Sequence, residues 1–133
     1  MTEPVYVSIH VRRTDFKAYL YSKLNITLLT EDYFIRQMDY FRKKYSNPLF
    51  MIVSDDPGWC DTYLKANDTF VVRGNSPEQD LAILAACNHS IFDYGTFGMW
   101  GAMMAGGETL ANDNGAVLEH TMLKMMPNWR AVT

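Results

Sequence analysis

The stretch SIHVRRTDF (Ser8–Phe16) crowds an imidazole, two guanidinium groups and a carboxylate behind an apolar run. Adjacent arginines offer forked donors matched to a phosphate or a carboxylate, a geometry that lysine does not reproduce. Successive strand residues face opposite ways, so Arg12 and Arg13 can serve one ligand only where the strand has ended. Two readings stand: an anion site, or ion pairs with structural carboxylates such as Asp15 or Asp55. For His10 three roles are open, namely a satisfied core histidine, a ring stacked on a base, or a ring hydrogen-bonded to one. A second stretch, Gly95-Thr96-Phe97-Gly98, opens a predicted helix behind SIFDY. Free N–H groups at a helix start favour an anion, and glycine lets it approach closely. A plain tight turn with Thr96 as a cap would look the same. Asp80 falls in the first turn of another predicted helix, where the dipole favours an acid whatever its function.

These residues need a frame, and composition bounds it. The chain has 133 residues, 48% hydrophobic and 14% aromatic, which suits a single domain spanning 1–133 with a core of its own. A formal net charge of −3 gives no general attraction to nucleic acid or to an anionic membrane, so anion binding has to come from a local constellation. The longest apolar windows, LAILAAC and MWGAMMAGG, are shorter than the roughly 18–20 residues that span a bilayer, and Thr2-Glu3-Pro4 is no leader; no membrane segment or signal is expected in this chain. His89 and His120 lack partners at ligand spacing, so no metal site is assigned. Cys60 and Cys87 fit a disulfide or two buried thiols, with the usual burial of free cysteine favouring thiols. Of three glycosylation sequons, those at Asn25 and Asn67 read as acceptors, whereas Asn88 lies between apolar runs where a glycan would obstruct packing.

The elements alternate. Val5–Val11 alternates and is β-branched, hence a strand with the charged cluster at its carboxyl end. Thr30 can cap a helix from Glu31 to about Tyr45, with Phe34, Met38, Phe41 and Tyr45 on one face. Leu49–Ser54 is a continuous apolar run closed by Asp55-Asp56-Pro57-Gly58, as for a strand buried on both faces. A short helix over 59–66 and a strand over 69–73 follow. Ser76, Pro77 and Gln79 form a capping-box start for a helix to about Cys87. Ser90–Tyr94 reads as a strand, then a helix runs through Ala105 to the stop at Gly106-Gly107. Glu108–Asn112 is expected as the last strand, ahead of a tail with one helix over 117–125 that docks through Trp129. Met99, Met103, Met104, Met122, Met125 and Met126 are read as core filler. The pattern predicts an α/β, Rossmann-like parallel sheet, whose ligands bind beyond the carboxyl ends of the strands.

Three segments together resemble a known family: IHVRRTDF, SPEQDLAILAACNHSI and YGTFGMWGAMMAGGETL follow the motifs of the galactoside α-1,2-fucosyltransferases, in order and at similar spacing. The resemblance implies the donor-binding, carboxyl-terminal domain of a two-domain GT-B architecture, with the amino-terminal anchor and acceptor-side half absent. It implies transfer of L-fucose from GDP-β-L-fucose to a galactose-terminated glycan, with inversion, no metal and no cofactor, on the lumenal side of the Golgi membrane. Residue by residue, Arg12 would contact the β-phosphate, Arg13 would support the loop partly through Asp15, and His10 and Asp80 would contact guanine. Thr96 would offer its hydroxyl while Gly95, Phe97 and Gly98 shape the diphosphate cradle, and Asp15, the acid of the first motif, is the candidate catalytic base. The motif's usual tyrosine is Phe16 here, and the aromatic often found before the tryptophan is Met99. A module of the same fold that binds nucleotide without catalysis is the alternative expectation.

Overall fold

The computed structural model describes residues 3–13, 29–113 and 117–133. Their elements run β1 (Val5–Val11), α1 (Glu31–Lys44), β2 (Pro48–Ser54), α2 (Pro57–Tyr63), β3 (Thr69–Val71), α3 (Pro77–Ala86), β4 (His89–Phe92), α4 (Thr96–Ala105), β5 (Thr109–Ala111), α5 (Val117–Met125) and β6 (Trp129–Ala131). All strand pairs are parallel, in the order β3-β2-β1-β4-β5-β6. Strand order therefore reverses between β1 and β4, and a crevice opens at such a switch point beyond the carboxyl ends. In register, His10 of β1 stands level with Val53 on one side and Phe92 on the other.

Alternation along the central strands sends their side chains into two layers. Val7, Ile9, Val11, Phe50, Ile52 and Ile91 bury against Tyr33, Phe34, Met38 and Phe41 of α1 and Cys60 of α2. Each aromatic so buried contributes about 1.5–3 kcal/mol. On the other layer Val53 meets Val72 and Leu84, and Phe92 and Ala111 meet Met99, Ala102 and Trp129. His10 belongs to this second layer, beneath α4, where its ring lies 5.1 Å from that of Phe97.

Local signals formed several boundaries as expected. The capping box at α3 is complete, with Ser76 Oγ accepting from the Gln79 N–H and Gln79 Oε1 from the Ser76 N–H. α4 stops at Gly106, whose φ of 77° is the left-handed conformation that glycine adopts without a Cβ penalty. Other expectations failed. Thr30 stands at the N-cap of α1 with no side-chain cap bond. α2 begins earlier than expected because Asp56 caps it, its Oδ1 accepting from the Trp59 N–H, with Pro57 following. The final strand is not at 108–112: β6 adds beyond it, the Thr109 N–H donating to the Asn128 carbonyl and the Val132 N–H to that of Ala111. Trp129 does dock, edge-on to Phe92. Of the methionines, Met99 is buried and Met103, Met122 and Met126 pack around it, but Met104 and Met125 are exposed.

Cys60 and Cys87 are free, buried thiols, both pushed up to about 11 by burial and so inert. Among the described residues no helix is long and apolar enough to cross a membrane.

Candidate functional site

The carboxyl end of β1 is held by a carboxylate on each side. From β4, Asp93 accepts the Arg12 N–H at 3.0 Å (Oδ2) and 3.3 Å (Oδ1) and the Tyr94 N–H at 2.6 Å. From β2, Asp55 Oδ1 accepts the Arg13 N–H at 2.8 Å. Ser54 Oγ, donating to the Val11 carbonyl at 2.8 Å, closes the same edge. The first two peptides beyond the strand are thus anchored by side chains, which ends the ladder and lets the arginines diverge.

Arg12 turns toward the β4–α4 turn: its Nη1 lies 3.8 Å from the position a β-carbon would take on Gly95. Its Nε is 3.9 Å from Asp55 Oδ2, a Coulombic contact longer than a hydrogen bond. Arg13 turns the other way, Nη1 donating to the Leu29 carbonyl at 2.8 Å and the guanidinium stacking 3.9 Å above Trp59. Tyr94 completes that anchor, its hydroxyl accepting from the Leu29 N–H at 3.0 Å. Side by side in sequence, one arginine faces the switch-point crevice and the other fastens the chain entering α1.

Gly95 itself, at φ 90° and ψ 160°, occupies backbone space that side chains rarely adopt, and α4 starts there with no side-chain cap bond. An uncapped helix start beside a guanidinium is a site for a phosphate-like anion. Gly98 permits a close approach: a β-carbon there would stand 2.9 Å from Phe92 Cβ and 3.0 Å from His10 Nδ1. His10 is 6% exposed, and its Nδ1 has no hydrogen-bond partner among the described residues. Burial first, and the Arg12 charge second, lower its imidazole to about 4, so the ring is neutral at physiological pH.

The structure therefore brings His10, Arg12, Gly95, Phe97 and Gly98 together and places Thr96, exposed, at the first position of α4. Asp80 sits half-buried in the first turn of α3, and its carboxylate bonds none of the described residues. Asp15 and Asn25 lie outside the described residues. Asn67 is exposed in the turn before β3, while Asn88 uses its Oδ1 to accept the Tyr6 N–H. Among the described residues no three potential metal-ligating side chains cluster.

Sequence reasoning missed Asp93, the residue that organises the edge. It is 2% exposed, and burial raises its carboxyl to about 8 despite the N–H bonds from Arg12 and Tyr94; Asp55 adds to the rise. The available signal was an acid inside the apolar run Ile91–Tyr94, which the strand reading absorbed.

A parallel sheet wound outward in both directions from its switch point, with helices on its faces, defines a Rossmann-like α/β protein. Comparison narrows the class: the sequence model described as Glycosyl transferase family 11 matches residues 2–132, and the chain belongs to that family. It is similar to galactoside alpha-(1,2)-fucosyltransferase 2 of Bos taurus, 35% identical over 93% of this chain and 40% of the relative. Galactoside 2-alpha-L-fucosyltransferase SEC1 of Bos taurus is 37% identical over 79% of this chain and 30% of the relative. The enzyme named alpha-(1,2)-fucosyltransferase 2 in Rattus norvegicus is 34% identical, over 93% and 38%. The chain thus spans well under half the length of these curated relatives. No solved structure matches it significantly.

Proposed function

We propose that this chain is the donor-binding part of a galactoside α-1,2-fucosyltransferase that takes L-fucose from GDP-β-L-fucose. The observation that carries the reading is the Arg12 guanidinium beside the uncapped Gly95 start of α4, at the switch point of a family 11 chain. In this reading the galactose 2-hydroxyl oxygen attacks the anomeric carbon, the bond from that carbon to the β-phosphate oxygen breaks, and GDP leaves with the electron pair. Inversion turns the β-linked donor into an α-linked product. Arg12 and the first N–H groups of α4 offset the charge that develops on the diphosphate, donors fixed before the reaction and so needing no rearrangement and no metal. Asp15 is the candidate base for the acceptor proton. His10, neutral and tilted against Phe97, lies at the floor of the site, and His10 and Asp80 are the candidate contacts to guanine. The acceptor side is assigned to the part of such enzymes that this chain does not cover, and the working compartment to the Golgi lumen, where Asn25 and Asn67 would meet the glycosylation machinery.

Calorimetric titration tests the donor assignment. GDP should bind the chain, and Arg12→Ala should weaken it by about tenfold or more, the loss of a charge-assisted hydrogen bond. A folded chain that binds no GDP, or an Arg12→Ala chain that binds it equally well, would falsify the reading.

A further inference from the structure

We propose that Asp93 is the positioning residue of this anion site: its carboxylate ties the end of β1 to the end of β4 and thereby sets the Arg12 guanidinium over the Gly95 turn. The proposal rests on the donor-site reading, yet the geometry stands by itself. Arg12 hangs from a peptide whose N–H is bonded to both oxygens of Asp93, and the residue after Asp93, Tyr94, donates to the same carboxylate and leads straight into Gly95. One side chain therefore fixes both halves of the site, the guanidinium from β1 and the helix start from β4. The two acids divide the work: Asp93 accepts the Arg12 N–H and Asp55 the Arg13 N–H.

A buried carboxylate in this place also carries a pH consequence. Burial moves Asp93 to about 8, so its proton is exchanged within the range where the protein can be handled. Ionised, it grips two N–H groups strongly; it also adds a negative charge beneath a bound diphosphate, which favours the protonated form when the anion is present. Anion binding should therefore take up a proton, and affinity should fall as pH rises through about 8. The groups facing Asp93 do not mask this change. Asp55, following β2, faces it as a second acid that adds to its rise, and Arg12, following β1, faces it as a cation. Tyr33 of α1, whose hydroxyl donates to the Phe92 carbonyl, is raised well above its ordinary value by burial. Burial also raises Tyr94 to about 12 and Cys60 of α2 to about 11. His10 stays neutral throughout.

The test uses inorganic pyrophosphate and GDP as separate probes on the wild-type chain, Asp93→Asn and Asp93→Ala, with affinity referred to the folded fraction and the Arg12 amide followed by NMR from pH 7 to 9. A positioning role predicts that Asp93→Ala weakens pyrophosphate about tenfold or more, since the Arg12 and Tyr94 N–H groups both lose the acceptor that joins them. Asp93→Asn, which keeps one acceptor oxygen and the side-chain shape, should recover part of the affinity but lose the pH dependence. The ligand-free Arg12 amide should titrate near pH 8 in the wild type and not in Asp93→Asn. GDP binding no tighter than pyrophosphate, with these changes present, would count against the guanine-nucleotide reading and leave the Asp93 inference supported. Variants that fold less stably yet bind pyrophosphate as the wild type does, or an Arg12 amide blind to pH, would overturn it. So would a wild-type chain that binds neither probe, because there would be no anion site to position.

Discussion

The two edges of the sheet use the same residue types in opposite ways. At the amino edge Glu108, just before β5, meets Lys44 at 2.6 Å, Arg130 at 3.1 Å and the Tyr40 hydroxyl. Arg130 lies 4.8 Å above the Tyr40 ring. Together they line a cleft of about 430 Å³, but its two cations converge on one carboxylate and tie α1, β5 and β6 to one another. At the carboxyl edge Asp93 and Asp55 bond the peptide N–H groups of Arg12 and Arg13, and the two guanidinium groups diverge, Arg12 toward the Gly95 turn with its Nε 3.9 Å from Asp55 Oδ2, and Arg13 to Leu29. At the first edge acids and cations meet side chain to side chain at hydrogen-bond distance; at the second the acids grip the backbone and so set where the arginine side chains leave it. Arg42 repeats the first pattern, forked onto Asp68 with both nitrogens at 2.8 Å.

Substitutions should separate the edges. The largest effect is expected from Gly98→Ala, whose new methyl would meet Phe92 Cβ at 2.9 Å and His10 Nδ1 at 3.0 Å. Overpacking of this kind costs about 1–3 kcal/mol, and displacing α4 from the sheet should weaken GDP binding as well, both readable by thermal unfolding and calorimetry on one sample. A Gly98→Ala chain with unchanged unfolding and unchanged affinity would contradict the close approach described for α4.

A smaller and purely structural effect is expected from Glu108→Gln. Burial pushes the Glu108 carboxyl up, but the bonds from Lys44 and Tyr40 and the nearby charges outweigh it and hold the group below its ordinary range. An acid so lowered contributes stability that is present above its unfolded value and disappears as pH falls through its folded one. Glu108→Gln should therefore lower Tm by a few degrees at most at neutral pH, with the difference from wild type vanishing in acid, and leave GDP affinity alone. A loss of affinity would mean that the edges are not independent.

The sequence revealed those features whose causes are local. The charged end of β1, the apolar stripe of α1, the Ser76–Gln79 capping box and the glycine stop of α4 each depend on a few neighbouring residues, and each lies where its pattern placed it. Features set by pairing across the sheet were not legible. β6 is three residues, Trp129-Arg130-Ala131, too short to show alternation, and exists because β5 offers it an edge. β4 stops at Phe92, short of the expected Tyr94, where Asp93 leaves the ladder to take the N–H of Arg12, 81 residues earlier in the chain. Likewise the opposed courses of Arg12 and Arg13 follow from Asp93 and Asp55, which arrive from two different strands. The site's cations were visible in SIHVRRTDF; the acid that aims one of them was not.

An amide chemical-shift map recorded on adding GDP tests most directly whether the carboxyl edge of the sheet is a nucleotide site. Displaced signals are expected at Arg12, Tyr94, Gly95, Thr96, Phe97 and Gly98, with Lys44, Glu108 and Arg130 unmoved. Displacement confined to the Lys44, Glu108 and Arg130 edge, with the Arg12 and Gly95 signals stationary, would contradict it.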